Sequence, residues 1–507
     1  MTAPHLSQAT VLVVGAGIMG AGIAQVAAQA GHSVRLYDSR DGAAAQALTK
    51  LAATLDGLAA KGKLSAEAVQ ATLARLQPAE SLADAATAGL VVEAIVENLE
   101  AKRTLFRQLE AVVNVDCVLA TNTSSISVTA IANGLAHPGR LVGMHFFNPV
   151  PQMKLVEVVS GLHTEPAVAD AIFDLSAAWG KVPVHARSTP GFIVNRIARP
   201  YYAETLALLH ERAAPPEVLD ACLRGAGFRM GACELMDLIG HDTNFAVTNS
   251  VYEANFFDRR YVPSLVQREL VDGGLLGRKS GRGFYRYPEG PATQAVLVHA
   301  TPATAREVVV HGDGPIADFL EAAATRALAA QGWGPARERD SAWSGLAIDA
   351  ARLVLTDGRS AHTLAAEMGC AELAVFDRPL RLPAVAGTPL AYAMAPAAHD
   401  DWRSQAAAWL AALGFAPLAV ADTPGLVVAR SVAMLVNEAA DAVQQGVCSE
   451  AGADAAMKLG VNYPAGPFEW LAAWSVAGVV ELLDALDHHS RGERSRVSPR
   501  LRGRCPR

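Results

Sequence analysis

Residues 10–38 constrain the fold most. They read as a β-branched apolar run (TVLVV, 10–14), the turn GAGIMG (15–20), an alanine-rich segment ending at Gly31, and a second run (33–37) that stops at Asp38. An unbroken apolar strand of this kind suits burial on both faces of a parallel sheet. The stretch 9–34 carries no Asp, Glu, Lys or Arg and is longer than the ~20 residues of a membrane-spanning helix. Gly15, Gly17, Gly20 and Gly22 nevertheless divide it into strand, turn and helix, with Gly31 as the helix stop. Gly15, Gly17 and Gly20, between a strand and a helix, have the spacing of a dinucleotide-binding turn, with Ile18 and Met19 between the last two. The first glycine permits the tight turn, the second lets a diphosphate approach the backbone, and the third packs the helix close to the strand. Asp38 can accept hydrogen bonds from both ribose hydroxyls and repels a 2′-phosphate, which favours NAD over NADP.

Further strands are expected at 89–95, 117–120 and 141–147, alternating with helical stretches such as 99–113. That alternation predicts an α/β fold with a doubly wound sheet. After about residue 185 the spacing of Ile193, Ile197, Tyr201 and Leu208 becomes helical, and Pro200 should kink that helix or delay its start. A repeat then appears: TPGFIVNR (189–196) recurs as TPGLVVAR (423–430), GACEL (231–235) as GPFEW (466–470), and HFFNP (145–149), more faintly, as VFDRP (375–379). Self-similarity at one long separation indicates duplication. The expected order is a dinucleotide-binding domain (1–185), an all-α domain (186–287), a degenerate copy of each (288–410 and 411–490) and a basic tail (491–507). In the later half Val375 replaces His145, Ala429 replaces Asn195, and the strand and turn at 308–314 lack the glycine spacing. That half is expected to be scaffold without catalysis.

His145 interrupts the apolar run 141–147, and Glu157 interrupts KLVEVV (154–159). The turn NPVP (148–151) between them folds one run back on the other, so the carboxylate should meet the imidazole. A buried carboxylate needs a partner, and a histidine that takes up a proton gains from a negative neighbour that fixes its tautomer. The two are therefore expected as a base and its orienter. Glu93, Glu97 and Asn98, and the run TNTSS (121–125), follow strands, where open parallel sheets bind ligands. Asn195 is lost in the duplicate, which favours a substrate contact over a packing role.

The net charge of -7 disfavours a nucleic-acid partner, and the arginines of the tail read as a solvated terminus. The six cysteines are scattered without metal-ligand or disulfide spacing, which fits a reducing compartment. No basic region precedes an apolar core at the amino end. A cytoplasmic protein with no membrane partner is expected.

Together GAGIMG with Asp38, TNTSS, HFFNP followed by KLVEVV, TPGFIVNR and GRKSGRGFY (277–285) resemble the 3-hydroxyacyl-CoA dehydrogenase family over nearly the whole chain. The fold implied is a Rossmann-like domain followed by the family's helical domain. The implied activity is NAD-dependent oxidation of a (3S)-3-hydroxyacyl-CoA to the 3-oxoacyl-CoA. The length, the degenerate second half and segments such as LGVNYPAGP (459–467) are similar to long-form members acting on 3-hydroxyadipyl-CoA in phenylacetate breakdown. The alternatives are 3-hydroxybutyryl-CoA or general β-oxidation substrates and, in another class, an NAD-binding structural protein. The resemblance implies His145 as base, Glu157 as its partner, and Ser124 and Asn195 as groups hydrogen-bonding the substrate. It further implies Glu97, Lys102, Asn122, Ser124, Asn148 and Lys279 as NAD contacts, and Thr54 and Lys61 as contacts to coenzyme A. Short members pair through the helical domain, so this chain is expected either to dimerise or to hold that contact internally. Where the family reads GFPMGP, this chain reads GFRMGAC (227–233), which leaves the shape of that loop open.

Overall fold

In a computed structural model the chain is described for residues 6–291 and 303–505. It forms two compact units, Met1–Arg196 with Ala442–Val461, and Ile197–Asp441 with Asn462–Arg507.

The first unit is built on eight strands: β1 (Val11–Val14), β2 (Val34–Tyr37), β3 (Leu76–Pro78), β4 (Leu90–Glu93), β5 (Val118–Thr121), β6 (Leu141–Phe146), β7 (Leu155–Ser160) and β8 (Val182–Arg187). Their order is β3-β2-β1-β4-β5-β6-β7-β8. All pairings are parallel except β6 with β7, which the turn at 148–151 makes antiparallel. β1, β4 and β5 are buried at every position, as sheet strands covered by helices on both faces must be. The order reverses between β1 and β4, and the crevice beyond their carboxyl ends is where ligands of such sheets bind. One helix from the second copy, Glu450–Gly460, belongs to this unit, so compactness does not follow the linear boundaries drawn from the repeat.

In the second unit, Pro200 lies in the first turn of a helix (Arg199–His210) that follows the short helix Val194–Ile197, so its effect is a late start. The loop at 227–233 is held without the two prolines: Asp220 accepts the Cys233 and Glu234 N–H groups at 2.9 Å and the Tyr285 hydroxyl at 2.7 Å. Asp237 does the same for the glycine-rich loop, accepting the N–H of Phe284 and of Tyr285. The unit's sheet has β9 (Val308–His311), β10 (Ala336–Glu338), β11 (Gly345–Ile348), β12 (Ala351–Leu355), β13 (Leu373–Phe376), β14 (Thr388–Met394) and β15 (Phe415–Ala419). Its order is β10-β9-β11-β12-β13-β14-β15. β11 runs antiparallel to both neighbours, where the first sheet is parallel throughout this region.

The two helical copies pack together within this unit. Arg430 is bound by Glu204 and Glu211, Arg260 by Glu438 and Asp441, and Phe228 meets Tyr463 and Trp470. The basic tail departs from expectation. Arg494 pairs with Glu204 at 2.6 Å, the Arg496 carbonyl accepts from Arg260 and Asn437, and Leu501 is fully buried. The acid that neutralises this arginine, Glu204, is distant in sequence, so composition alone points to a solvated terminus.

Candidate active site

The glycine turn is shaped by crowding. Gly15 has φ +107°, and a Cβ there would lie 2.4 Å from the Ala94 carbonyl oxygen. A Cβ on Gly20 would lie 1.7 Å from the Gly15 carbonyl oxygen, which fixes how closely the helix Ile18–Gln29 meets β1. At Gly17 a Cβ would meet nothing within 4 Å. That helix has no side-chain cap and no acid in its first turn, so its amino end can receive a diphosphate. Ile18 is 79% exposed, whereas Met19 packs on the core. Beside the turn a cleft of about 790 Å³ is walled by Gly15, Gly17, Asp38, Ile95 and Val96. The residues present fit NAD.

Asp38 stands at the carboxyl end of β2. One oxygen accepts the Ala16 N–H at 2.8 Å, and Arg40 closes on the carboxylate from Nε and Nη2 at 3.0 and 3.2 Å. The Arg40 guanidinium, helped by backbone N–H groups against the cost of burial, lowers the carboxyl to about 2. No motif or spacing in the sequence singles out Arg40.

On the other side of the turn a groove of about 520 Å³ is lined by Ile18, Arg40, Lys50, Thr54 and Asn148, among others. Thr54 therefore lines this groove, while Lys61 caps the far end of the helix Ala43–Ala60 and is exposed. Lys50 and Arg40 provide the positive charge on this groove. Lys50 lies a helical turn before Thr54, a spacing that helical periodicity reveals, whereas Arg40 lies ahead of the helix and outside that pattern.

His145 and Glu157 face each other across β6 and β7 in register. His145 Nδ1 and Glu157 Oε2 are 2.6 Å apart, with the residues 5% and 0% exposed. An ionised carboxylate only accepts, so Nδ1 carries the proton, and in the neutral ring Nε2 then keeps its lone pair. The rings of Phe147 and Phe192 flank the imidazole at 4.5 and 5.9 Å between centroids. The other oxygen of Glu157 accepts the N–H groups of Ile193 and Val194 at 3.1 and 2.9 Å. One carboxylate thus holds both the imidazole and the segment bearing Asn195. Asn195 Nδ2 donates to the Ser124 carbonyl at 3.3 Å. The Asn122 side chain accepts the Phe146 N–H at 2.8 Å, tying the ends of β5 and β6.

Glu97 organises the turn after β5. Its Oε1 accepts the N–H of Ser124 at 2.8 Å and of Ser125 at 3.1 Å, and the Thr123 and Ser124 hydroxyls at 2.7 and 3.2 Å. Burial would raise its carboxyl, but the Lys102 ammonium and these donors outweigh that and hold it low. Lys102 itself is 1% exposed and sits between Glu93 at 2.6 Å and Glu97 at 3.2 Å. Lys279 belongs to the second unit, where it pairs with Asp242 at 2.5 Å.

The model of the 3-hydroxyacyl-CoA dehydrogenase NAD binding domain matches residues 10–189, and that of the C-terminal domain matches 191–287 and again 425–505. The chain belongs to the 3-hydroxyacyl-CoA dehydrogenase family. It is an oxidoreductase with an NAD-binding Rossmann domain and a repeated helical domain. Residues 353–424 match the 3-hydroxybutyryl-CoA dehydrogenase reduced Rossmann-fold domain, in keeping with the altered second sheet. The chain is 45% identical over 497 residues to 3-hydroxyadipyl-CoA dehydrogenase of Escherichia coli K12, covering 98% of this chain and 97% of that one. It is 42% identical to the probable 3-hydroxybutyryl-CoA dehydrogenase of Deinococcus radiodurans, covering 54% of this chain and 99% of the relative. The crystal structure of 3-hydroxybutyryl-CoA dehydrogenase from E. coli K12 superposes with a TM-score of 0.87 at 43% identity, covering 98% of both chains. Among the described residues no helix is long and apolar enough to cross a membrane.

Proposed function

We propose that the chain oxidises (3S)-3-hydroxyadipyl-CoA to 3-oxoadipyl-CoA with NAD, in the cytoplasm, as a step of phenylacetate breakdown. The observation that carries the chemistry is the His145–Glu157 pair, in which one ring nitrogen is bound and the other is left for a substrate alcohol. NAD, held beside Gly15, Gly17 and Asp38, would supply the hydride acceptor for carbon 3 of the substrate. His145 Nε2 takes the hydroxyl proton, and Glu157 keeps the proton on Nδ1 and stabilises the resulting imidazolium. Ser124 and Asn195 hydrogen-bond the substrate oxygens. Glu97 positions the turn that carries Ser124, and Lys102 acts by holding Glu97. Asn122 contacts the cofactor, while Thr54, Lys50 and Arg40, which line one groove together with Asn148, serve the coenzyme A phosphates.

The acyl group rests on the relative that shares the whole length, the 3-hydroxyadipyl-CoA dehydrogenase. The full-length structural neighbour is described as acting on 3-hydroxybutyryl-CoA. Steady-state NADH formation from both thioesters decides between them. A distal carboxylate bound by a cation should make kcat/KM for the adipyl substrate about tenfold or more above that for the butyryl one. The reverse order would assign the shorter substrate, and no NADH from either would leave an NAD-binding structural protein.

Asp38 sets the nucleotide. Its exposed Arg40 partner, 73% exposed at the side chain, has to share the carboxylate with the ribose hydroxyls. With a carboxyl at about 2, below the ordinary aspartate value, the negative charge is complete above that value and is lost only as pH falls through it. The preference for NAD over NADP should therefore stay constant from about pH 5 to about pH 9. Ratios of kcat/KM for the two nucleotides at both ends of that range check this, and a drift in the ratio would assign the discrimination to another group.

A further inference from the structure

The second sheet has a crevice of its own. The parallel strands β12 and β13 end together at Leu355 and Phe376, and β11, antiparallel to β12, begins at the same edge. A cleft of about 530 Å³ opens there, with Trp343, Ser344, Leu355, Thr356, Arg378 and Trp474 on its walls. The turn after β12 is packed tightly on the helix Val476–Ser490: Gly358 has φ +100°, and a Cβ there would lie 2.6 Å from the Leu482 carbonyl oxygen. The crevice is thus a built feature of the sheet, at the edge where open α/β sheets take ligands. It shares no residue with the clefts beside the glycine turn.

Arg378 is its unusual member. The guanidinium carbon lies 4.3 Å from the centre of the Trp474 ring, and the buried Nε has no hydrogen-bond partner. Among the described residues no carboxylate pairs with it. The adjacent Asp377 is engaged with the N–H groups of Val427, Val428 and Ala429. Arg359, on the same cleft, is by contrast paired with Asp357 and Glu367. Burial draws the Arg378 guanidinium down to about 10, opposed by the charge of Asp377. A buried guanidinium N–H without a partner is costly, and the fork of N–H donors on this half-buried side chain matches the two oxygens of a carboxylate.

We infer that this crevice is a second ligand site, in which Arg378 binds the carboxylate of a small monoanion whose apolar body lies against Trp343, Leu355 and Trp474. Ser344 and Thr356 supply hydroxyl donors. Glu481 also borders the cleft, and its negative charge disfavours a dianion such as phosphate, whereas Asp484 beside it is paired with Arg502.

The test uses the full-length protein titrated with butyrate and with inorganic phosphate, followed by tryptophan fluorescence and by calorimetry. Butyrate should bind saturably, and phosphate about tenfold more weakly or not at all. Arg378→Met should weaken butyrate about tenfold or more while turnover of the 3-hydroxyacyl-CoA stays within about twofold of the parent. Should that variant fail to fold, Arg378→Lys keeps the charge but loses the fork, and it too should weaken butyrate. Absence of saturable binding, tighter binding of phosphate than of butyrate, or unchanged butyrate affinity in a folded Arg378 variant would overturn the assignment.

Discussion

Replacing His145 by Gln should lower kcat by about 10²- to 10⁴-fold, the usual worth of a positioned base, with the affinity for NAD unchanged. The amide is close to the imidazole in size and polarity, so β6 can keep its register with β7, but it cannot take a proton. The nucleotide cleft is walled by the ends of β1 and β2 and by the segments that follow β1, β2, β3 and β4, and His145 is not among its lining residues. Affinity measured by fluorescence titration should therefore separate from turnover. If NAD affinity and turnover fell together, His145 would be holding the sheet and not the proton.

The dyad was readable from sequence because it is local. His145 and Glu157 lie on strands joined by a short turn, and both break apolar runs that otherwise alternate with the sheet, so register alone brings them together. The glycine turn and Asp38 were readable for the same reason. What stayed hidden depended on residues far along the chain. The second oxygen of Glu157 meets backbone N–H groups beyond β8, and no spacing rule reports that. Lys102, which the family resemblance implies as a cofactor contact, is enclosed between Glu93 and Glu97, and nothing in sequence tells a neutralised lysine from a free one. The arginine tail misled in the opposite direction, because Glu204, which neutralises Arg494, lies on an early helix of the other copy. The helix Glu450–Gly460 crosses units although the repeat is continuous in sequence, because burial and not descent decides which core a helix joins.

Glu157→Gln should reduce kcat about as severely as the loss of His145, and a matching substitution in the second copy shows why. Glu157 serves two acceptor duties with its two oxygens, the ring proton of His145 and the N–H groups of Ile193 and Val194. Glutamine has one oxygen. If that oxygen stays with the backbone, the amide NH₂ faces Nδ1 and the proton moves to Nε2, which can then no longer act as base. An inverted tautomer of this kind costs about 10⁴-fold in a serine protease. If the oxygen turns to the ring, the two N–H groups lose their acceptor at about 1–3 kcal/mol. In the duplicate, Asp377 at the end of β13 binds the N–H groups of Val427 and Val428, the positions that match Ile193 and Val194, and of Ala429. Position 375, which matches His145, is a valine. In this copy the backbone anchor is therefore supplied by a carboxylate that follows β13, with no imidazole at position 375. Asp377→Asn should lower stability by about 1–3 kcal/mol in denaturant unfolding and leave kcat within about twofold, whereas Glu157→Gln lowers kcat by orders of magnitude. Near-normal turnover in Glu157→Gln would dissolve the dyad, and an equal loss of turnover in Asp377→Asn would make anchoring, not proton transfer, the reason Glu157 matters.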